Sequence, residues 1–267
     1  MSHKRGMQKV FLKNLIFQIA SLFLHPLVVS EKLSKDDGAS RVDSSLYRSL
    51  IVSLLYLTAT RPDIMFAATL PSRFMQNPSQ IHFGAAKRIL RYLQGTLDYG
   101  ICYKAGENLN LIAYSDSDWA RSVDDMKSTS GYAFLLGTNI CSWLSIKQKV
   151  VAQSSAEAEY VAPGKATSQA IWLRRILEDI GEKQREATIL FCDDKSAISI
   201  AKNPVCHERT KHIAIKYHFI RDAVEEGEIR LQYCKSQEQL ADIFTKSLPK
   251  EKFCYLRDRI GVVKQVH

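Results

Sequence analysis

Leu109-Asn-Leu-Ile-Ala-Tyr-Ser-Asp-Ser-Asp-Trp119 is the stretch that decides the fold. Leu109, Leu111 and Ala113 alternate along it, the period of a half-buried strand, and lead into Tyr114-Ser115-Asp116. The strand therefore ends in an acid. Upstream of Gly106 the apolar spacing is helical, so the change of period marks a boundary near residue 107.

Downstream, Gly131 to Leu136 and Ile140 to Leu144 read as two more strands, joined by the hairpin turn Gly137-Thr138-Asn139. Ser154 and Ser155 precede a long helix, Ala156 to Ile180, ended by Gly181. Thr188 to Cys192 reads as a short buried strand running into Asp193-Asp194. Ser196 to Lys202 is a helix stopped by Pro204. Ile213 to Glu226 is another, with Ile215, Phe219, Ala223 and Val224 on one stripe. Ile229 to Cys234 alternates as a fifth strand, and Glu238 to Leu248 reads as a last short helix. This order predicts an α/β fold: an antiparallel meander extended by parallel crossover strands into a mixed five-stranded sheet flanked by helices.

Upstream, Leu46 to Leu57 is apolar at helical spacing, Arg61-Pro62-Asp63 interrupts it, and Ile64 to Met75 resumes it. Ser79 caps a strong helix, Gln80 to Leu93, with Phe83, Ala86, Ile89, Leu90 and Leu93 on its apolar face and Lys87, Arg88 and Arg91 beside it. A small helical region thus precedes the α/β part. The apolar share of 46% with 24% charged residues is that of a folded chain, which excludes a disordered one. The net charge of +9 points to a polyanionic partner. Residues 1–107 carry 14 Lys+Arg against 7 Asp+Glu, whereas residues 108–250 carry 19 of each. The basic character belongs to the first part, and the acids of the second need a separate explanation.

Four of those acids fall at element ends. Asp116 ends the first strand, Glu159 lies in the first turns of the long helix, Asp193 ends the fourth strand and Asp242 opens the last helix. A single acid in such a place usually caps a helix or faces water. Carboxylates brought together repel one another unless cations join them, and Mg²⁺ takes hard oxygen ligands. Water-driven cleavage of a phosphodiester is served by two such ions about 4 Å apart, which also reverse the local charge toward a polyanion.

The motifs then become specific. Tyr114-Ser-Asp116-Ser-Asp-Trp119-Ala120, Lys127-Ser-Thr-Ser-Gly-Tyr132, Ser154-Ser-Ala-Glu-Ala-Glu159-Tyr160, Cys192-Asp193-Asp194-Lys-Ser-Ala197, Arg209-Thr-Lys-His212-Ile213 and Gln239-Leu-Ala-Asp242-Ile-Phe-Thr-Lys246 closely resemble the ribonuclease H domain of copia-type LTR retrotransposon Pol polyproteins. The resemblance covers about residues 108–250. It implies an RNase H-like fold that cuts the RNA strand of RNA–DNA hybrids. It also implies Asp116, Glu159, Asp193 and Asp242 as ligands of two Mg²⁺, or of Mn²⁺ in their place, with no small-molecule cofactor. Glu159 is preferred to Glu157 because Ala158-Glu159-Tyr160 matches the retroviral pattern better; Asp118 and Asp194 are read as neighbours.

Residues 42–104 resemble the end of the same family's reverse transcriptase, in Leu46-Tyr-Arg-Ser-Leu-Ile51, Leu55-Tyr-Leu-Thr-Ala-Thr-Arg-Pro-Asp63 and His82-Phe-Gly-Ala-Ala-Lys-Arg-Ile-Leu-Arg-Tyr-Leu93. Lys87, Arg88 and Arg91, with Arg209 and Lys211, are the expected nucleic-acid contacts. The expected organisation is a leader and linker over 1–41, a thumb- or connection-like helical region over 42–106, the RNase H domain over 107–250 and a C-terminal tail over 251–267. Phe191-Cys192-Asp193-Asp194 looks like a polymerase motif, but it follows the thumb-like region, so the expectation is a chain without the polymerase core.

Six scattered cysteines without CxxC spacing argue against a zinc ribbon or a disulfide framework and fit a cytoplasmic or nuclear setting. Cys206 with His207, His212 and His218 likewise lacks a CxxC partner for zinc. Residues 1–25 have the outline of a signal peptide, yet Lys13, Asn14 and Gln18 interrupt the apolar run and no membrane span is expected.

The sequence departs from the family pattern at Arg121, Ala214, Leu144 and Ile146, and most sharply at Pro163, followed by Gly164. A proline four residues after Glu159 cannot donate to the Glu159 carbonyl and is expected to kink the helix beside a metal ligand. Three readings stay open: a nuclease, an inactive nucleic-acid-binding remnant, and a secreted or interaction protein.

Overall fold

The computed structural model describes residues 23–29, 31–105, 109–202 and 214–265; the side chains of 200–202 and 214–218 lie outside that description. In chain order the elements are α1 (Ser44–Leu57), a 3₁₀ turn (Pro62–Ile64), α2 (Met65–Ser72), α3 (Gln80–Gln94), β1 (Tyr99–Ile101), β2 (Leu111–Asp118), β3 (Thr129–Leu136), β4 (Asn139–Lys147), α4 (Ser155–Asp179), β5 (Thr188–Cys192), α5 (Lys195–Lys202), α6 (Ala214–Glu225), β6 (Ile229–Tyr233), a second 3₁₀ segment (Leu240–Phe244), α7 (Lys250–Arg259) and β7 (Val262–Lys264). They divide into two compact units: Met1–Ile101 with Ser247–Asp258 and Val262–His267, and Cys102–Lys246 with Arg259–Gly261.

The first unit is helical because its sequence supplies both caps and an apolar face. Asp43 accepts from the amides of Ser45 and Leu46 to start α1, and Ser79 caps α3 in a reciprocal box with His82. Tyr47, Leu50, Ile51 and Leu54 meet the buried faces of α2 and α3. Arg61-Pro62-Asp63 does more than break a helix. The Arg61 guanidinium donates to both Asp63 oxygens and to Thr96, and Tyr92 donates its hydroxyl to Asp63, a buried network in which each charged group has partners. Within the stretch expected as a C-terminal tail, α7 buries Phe253 and Leu256, and β7 pairs antiparallel with β1, Tyr99 opposite Lys264.

The second unit holds the mixed five-stranded sheet, in the order β4-β3-β2-β5-β6. β2, β3 and β4 form the antiparallel meander, and β5 and β6 add in parallel. Gly137, at φ +63°, supplies the left-handed residue of a two-residue hairpin between Leu136 and Asn139. Alternate residues of β2, β3, β5 and β6 (Leu111 and Ala113, Tyr132 and Phe134, Leu190 and Cys192, Ile229 and Leu231) enter one core with Tyr160, Val161, Ala166 and Ala170 of α4. This is the RNase H-like α/β arrangement. The last helix, expected over Glu238 to Leu248, is shorter and tighter, a 3₁₀ segment over Leu240–Phe244.

Helix α4 runs unbroken from Ser155 to Asp179 with Pro163 inside it, buried. The missing donor leaves the Glu159 carbonyl without its helical partner, at about 3 kcal/mol. Pro163→Ala restores that donor but removes buried ring carbons, which offsets about 1–2 kcal/mol. A net gain of about 1–2 kcal/mol is expected, roughly 2–8 °C in Tm. Thermal unfolding of the two proteins checks it; a lower Tm for the alanine variant overturns it.

Candidate metal centre

The sheet register explains why two acids distant in sequence meet. Parallel β2 and β5 pair Ile112 with Ile189, Ala113 with Leu190 and Tyr114 with Phe191, and Tyr114 stacks on Phe191 at 4.9 Å. Two residues beyond this pair come Asp116, within β2, and Asp193, just past the end of β5. Glu159 reaches them from α4, where the Ser117 amide donates to its Oε1 at 3.3 Å. Carboxylate oxygens of Asp116, Glu159 and Asp193 all lie within 4.8 Å of one another.

Asp242 arrives by a different route. Gln239 donates its side-chain amide to the Ser115 carbonyl of β2 at 3.0 Å and accepts from the Ala241 amide, pinning the 3₁₀ segment against the sheet. Asp242 is buried there but is not one of the three clustered carboxylates. It is joined to Asp116 through Lys246, whose Nζ lies 2.7 Å from Asp242 Oδ1 and 3.3 Å from Asp116 Oδ2. Thr245 donates its hydroxyl to Asp116. Lys246 and Thr245 are site residues that the strand-end argument misses; the Asp242–Lys246 spacing of four, which puts both on one side of a helical turn, is the signal that could have found the lysine.

Gly131 of β3 makes room for this segment. A Cβ there would lie 2.7 Å from the Phe244 Cβ and 2.9 Å from the Thr245 Cγ2, with the Phe244 backbone carbon at 3.1 Å. Gly131→Ala must therefore push the 3₁₀ segment off the sheet. An expected loss of about 1–3 kcal/mol, as for overpacking, should be accompanied by displacement of Asp242 and Lys246. Denaturant unfolding measures the first and metal affinity the second; a variant with wild-type values for both would show that the contact gives way freely.

The electrostatics follow from burial. Asp116 is 1% exposed, and loss of hydration, reinforced by Asp242 and Asp193, raises its carboxyl to about 8 against the pull of Lys246 and Thr245. Burial first, and then Asp116 and Asp193, push Glu159 up to about 10. Such groups keep their protons until a cation displaces them. Around a Mg²⁺ adjacent oxygens stand about 3 Å apart and opposite ones about 4.2 Å, so carboxylate oxygens within 4.8 Å of one another are near the spacing an ion imposes. The donor set, all oxygen, is the one a hard divalent cation takes.

The neighbouring acids have other work. Glu157 belongs to the helix cap: its amide donates to Ser154 Oγ and its carboxylate accepts from the Gln153 amide. Asp194 caps α5, accepting from the amides of Ser196 and Ala197. Asp118 pairs with Arg121 at 3.6 Å, so the residue that departs from the family pattern neutralises an acid near the site. Despite Pro163, Glu159 keeps its carboxylate with its partners.

Lys87, Arg88 and Arg91 share α3 in the other unit, all partly buried. Arg88 lies over the Phe23 ring at 4.1 Å and contacts His25 at 3.2 Å; Arg91 lies over the same ring at 5.5 Å, and Lys87 sits over Phe83 at 4.5 Å. Arg209, Lys211, Cys206, His207 and His212 are outside the described residues, as is the His218 side chain. Cys102, Cys141, Cys192, Cys234 and Cys254 are free thiols. No helix among the described residues is long and apolar enough to cross a membrane.

No family model matches the chain. Two retrovirus-related Pol polyproteins of Arabidopsis thaliana, from transposons RE2 and RE1, are 42% and 44% identical to it over 239 residues. These alignments cover 90% of this chain and 16% of each relative, so the chain spans about one-sixth of their length. Among solved structures, the N-terminal RNase H domain of a Mycobacterium tuberculosis protein, determined as a fusion with maltose-binding protein, overlays 56% of this chain and 97% of its own chain, at 9% identity and a TM-score of 0.38. With identity above 40% along nine-tenths of its length, this chain belongs to the Pol polyproteins of copia-type LTR retrotransposons.

Proposed function

We propose that the unit containing the five-stranded sheet hydrolyses the RNA strand of RNA–DNA hybrids with the aid of divalent cations. The observation that carries this reading is the meeting of Asp116, Glu159 and Asp193, three carboxylates from two strand ends and a helix, within 4.8 Å in an RNase H-like sheet. In this reading they and Asp242 hold two Mg²⁺, with Mn²⁺ able to take the same ligands. When bound, such ions supply a hydroxide nucleophile at neutral pH and stabilise the leaving oxygen. The chain's own groups set the geometry: Thr245 orients Asp116, the Ser117 amide orients Glu159, and Gln239 anchors the segment that carries Asp242. The three clustered carboxylates, held this way, need only a small adjustment to receive a cation.

Lys87, Arg88 and Arg91, with Arg209 and Lys211, are the proposed contacts to the phosphate backbone; the first three stand on a single helix, α3. A cytoplasmic or nuclear setting belongs to the same reading, supported by five free thiols. Incubation with an end-labelled RNA–DNA hybrid tests the proposal. Mg²⁺-dependent fragments of the RNA strand alone, abolished by EDTA, are expected. Hybrid binding without cleavage in Mg²⁺ or Mn²⁺ would instead identify an inactive remnant.

A further inference from the structure

We propose that Lys246 is a built-in cation standing in the place of a second divalent ion, so that the free protein binds one ion tightly and admits another only by displacing the lysine. The inference rests on the metal-centre reading above and sharpens it. Its basis is the unequal partnership of the four acids. Asp116, Glu159 and Asp193 converge on one another, whereas Asp242 is tied to the group by the ammonium of Lys246. That ammonium stands 2.7 Å from Asp242 Oδ1 and 3.3 Å from Asp116 Oδ2.

An ion joining Asp116 to Asp242 would take bonds of about 2.1 Å to the same oxygens. It would thus lie in the wedge the ammonium fills, and two cations so close in a poorly hydrated site repel strongly. The other position, among Asp116, Glu159 and Asp193, does not draw on Asp242, the acid that the ammonium holds most closely. The lysine is also built to leave. Its side chain is 32% exposed, and a flexible four-carbon stem lets the charge swing into water. It follows the 3₁₀ segment directly, with its amide donating to the Asp242 carbonyl at 3.2 Å, so its withdrawal need not unseat Asp242. Lys246 is therefore a positioning residue: without metal it holds Asp242 and Asp116 together, and with metal it ranks the two sites.

The test counts ions. Mn²⁺ is titrated into the full chain, with free Mn²⁺ followed by electron paramagnetic resonance and heats by calorimetry, for wild type, Lys246→Met and Lys246→Arg. One tight ion is expected for wild type and for the arginine variant. Lys246→Met should bind its second ion at least tenfold more tightly, and in EDTA it should melt below wild type, the loss recovering with Mn²⁺. A merely structural lysine would lower the Tm without strengthening the second site. Two ions of equal affinity in wild type, or an unchanged second affinity in Lys246→Met, would overturn the proposal while leaving the metal centre standing. Absence of any Mn²⁺ binding in all three proteins would overturn the metal centre and this inference with it. Should the methionine variant fail to fold, wild-type stoichiometry decides: one tight ion supports the proposal and two of equal affinity refute it.

Discussion

Asp193→Asn is expected to reduce hybrid cleavage by about a thousandfold and, in EDTA, to raise the melting temperature. The first effect follows from removing one of three charged oxygens that would hold an ion; a group aimed at developing charge in a buried site contributes about 3–4 kcal/mol, or two to three decades of rate. The second follows from repulsion. Asp193 is one of the charges that make Asp116 and Glu159 hard to ionise. Asparagine has nearly the same shape, so the fold keeps its contacts while the like-charge term falls. Opposite signs for activity and metal-free stability mark a carboxylate retained for chemistry. A variant that loses both would show Asp193 to be a structural acid, and one that keeps full activity would remove it from the site.

A strong pH dependence of stability is expected without metal. Asp116, at about 8 against an ordinary 3.8, and Glu159, at about 10 against 4.5, hold protons in the folded protein where the unfolded chain has lost them. The folded state then binds more protons than the unfolded one, so stability falls as pH rises across that interval. The penalty is absent below about pH 4 and complete above about pH 10. Between pH 5 and 9 in EDTA, the Tm should drop by on the order of 10 °C, several kcal/mol in a protein of this size. Saturating Mg²⁺ should remove most of the decline at the alkaline end, because the ion binds the ionised carboxylates and expels their protons. Glu159→Gln should flatten the slope without metal. A level Tm from pH 5 to 9 in EDTA would mean that the carboxylates are hydrated enough to ionise normally.

The family motifs named the four acids, but their unequal standing came from contacts made across the sheet. Ser79 and the apolar face of α3 are local, so Gln80–Gln94 was legible to within a residue. Thr188–Cys192 was legible for the same reason: a short apolar run bounded by polar residues suits a strand buried between two others. The segment around Asp242 was less so. Its residues suggest an ordinary helix, yet Gln239 ties it to Ser115 and Gly131 lets Phe244 press onto β3, and that long-range packing selects a tight 3₁₀ turn. The same packing directs Lys246 onto two carboxylates.

Pro163 shows the reverse. Local chemistry predicts a kink, and the helix nonetheless continues from Ser155 to Asp179, because its contacts along the sheet outweigh a single missing hydrogen bond. What the sequence by itself determined here is the set of chemical groups and the elements with strong periodicity and caps, since both depend on residues close in the chain. Which carboxylates meet, which acid takes the lysine and which merely caps a helix was decided by the parallel pairing of β2 with β5 and by the docking of the 3₁₀ segment. Those contacts join residues up to 130 positions apart, and no local pattern encodes the register that brings them together.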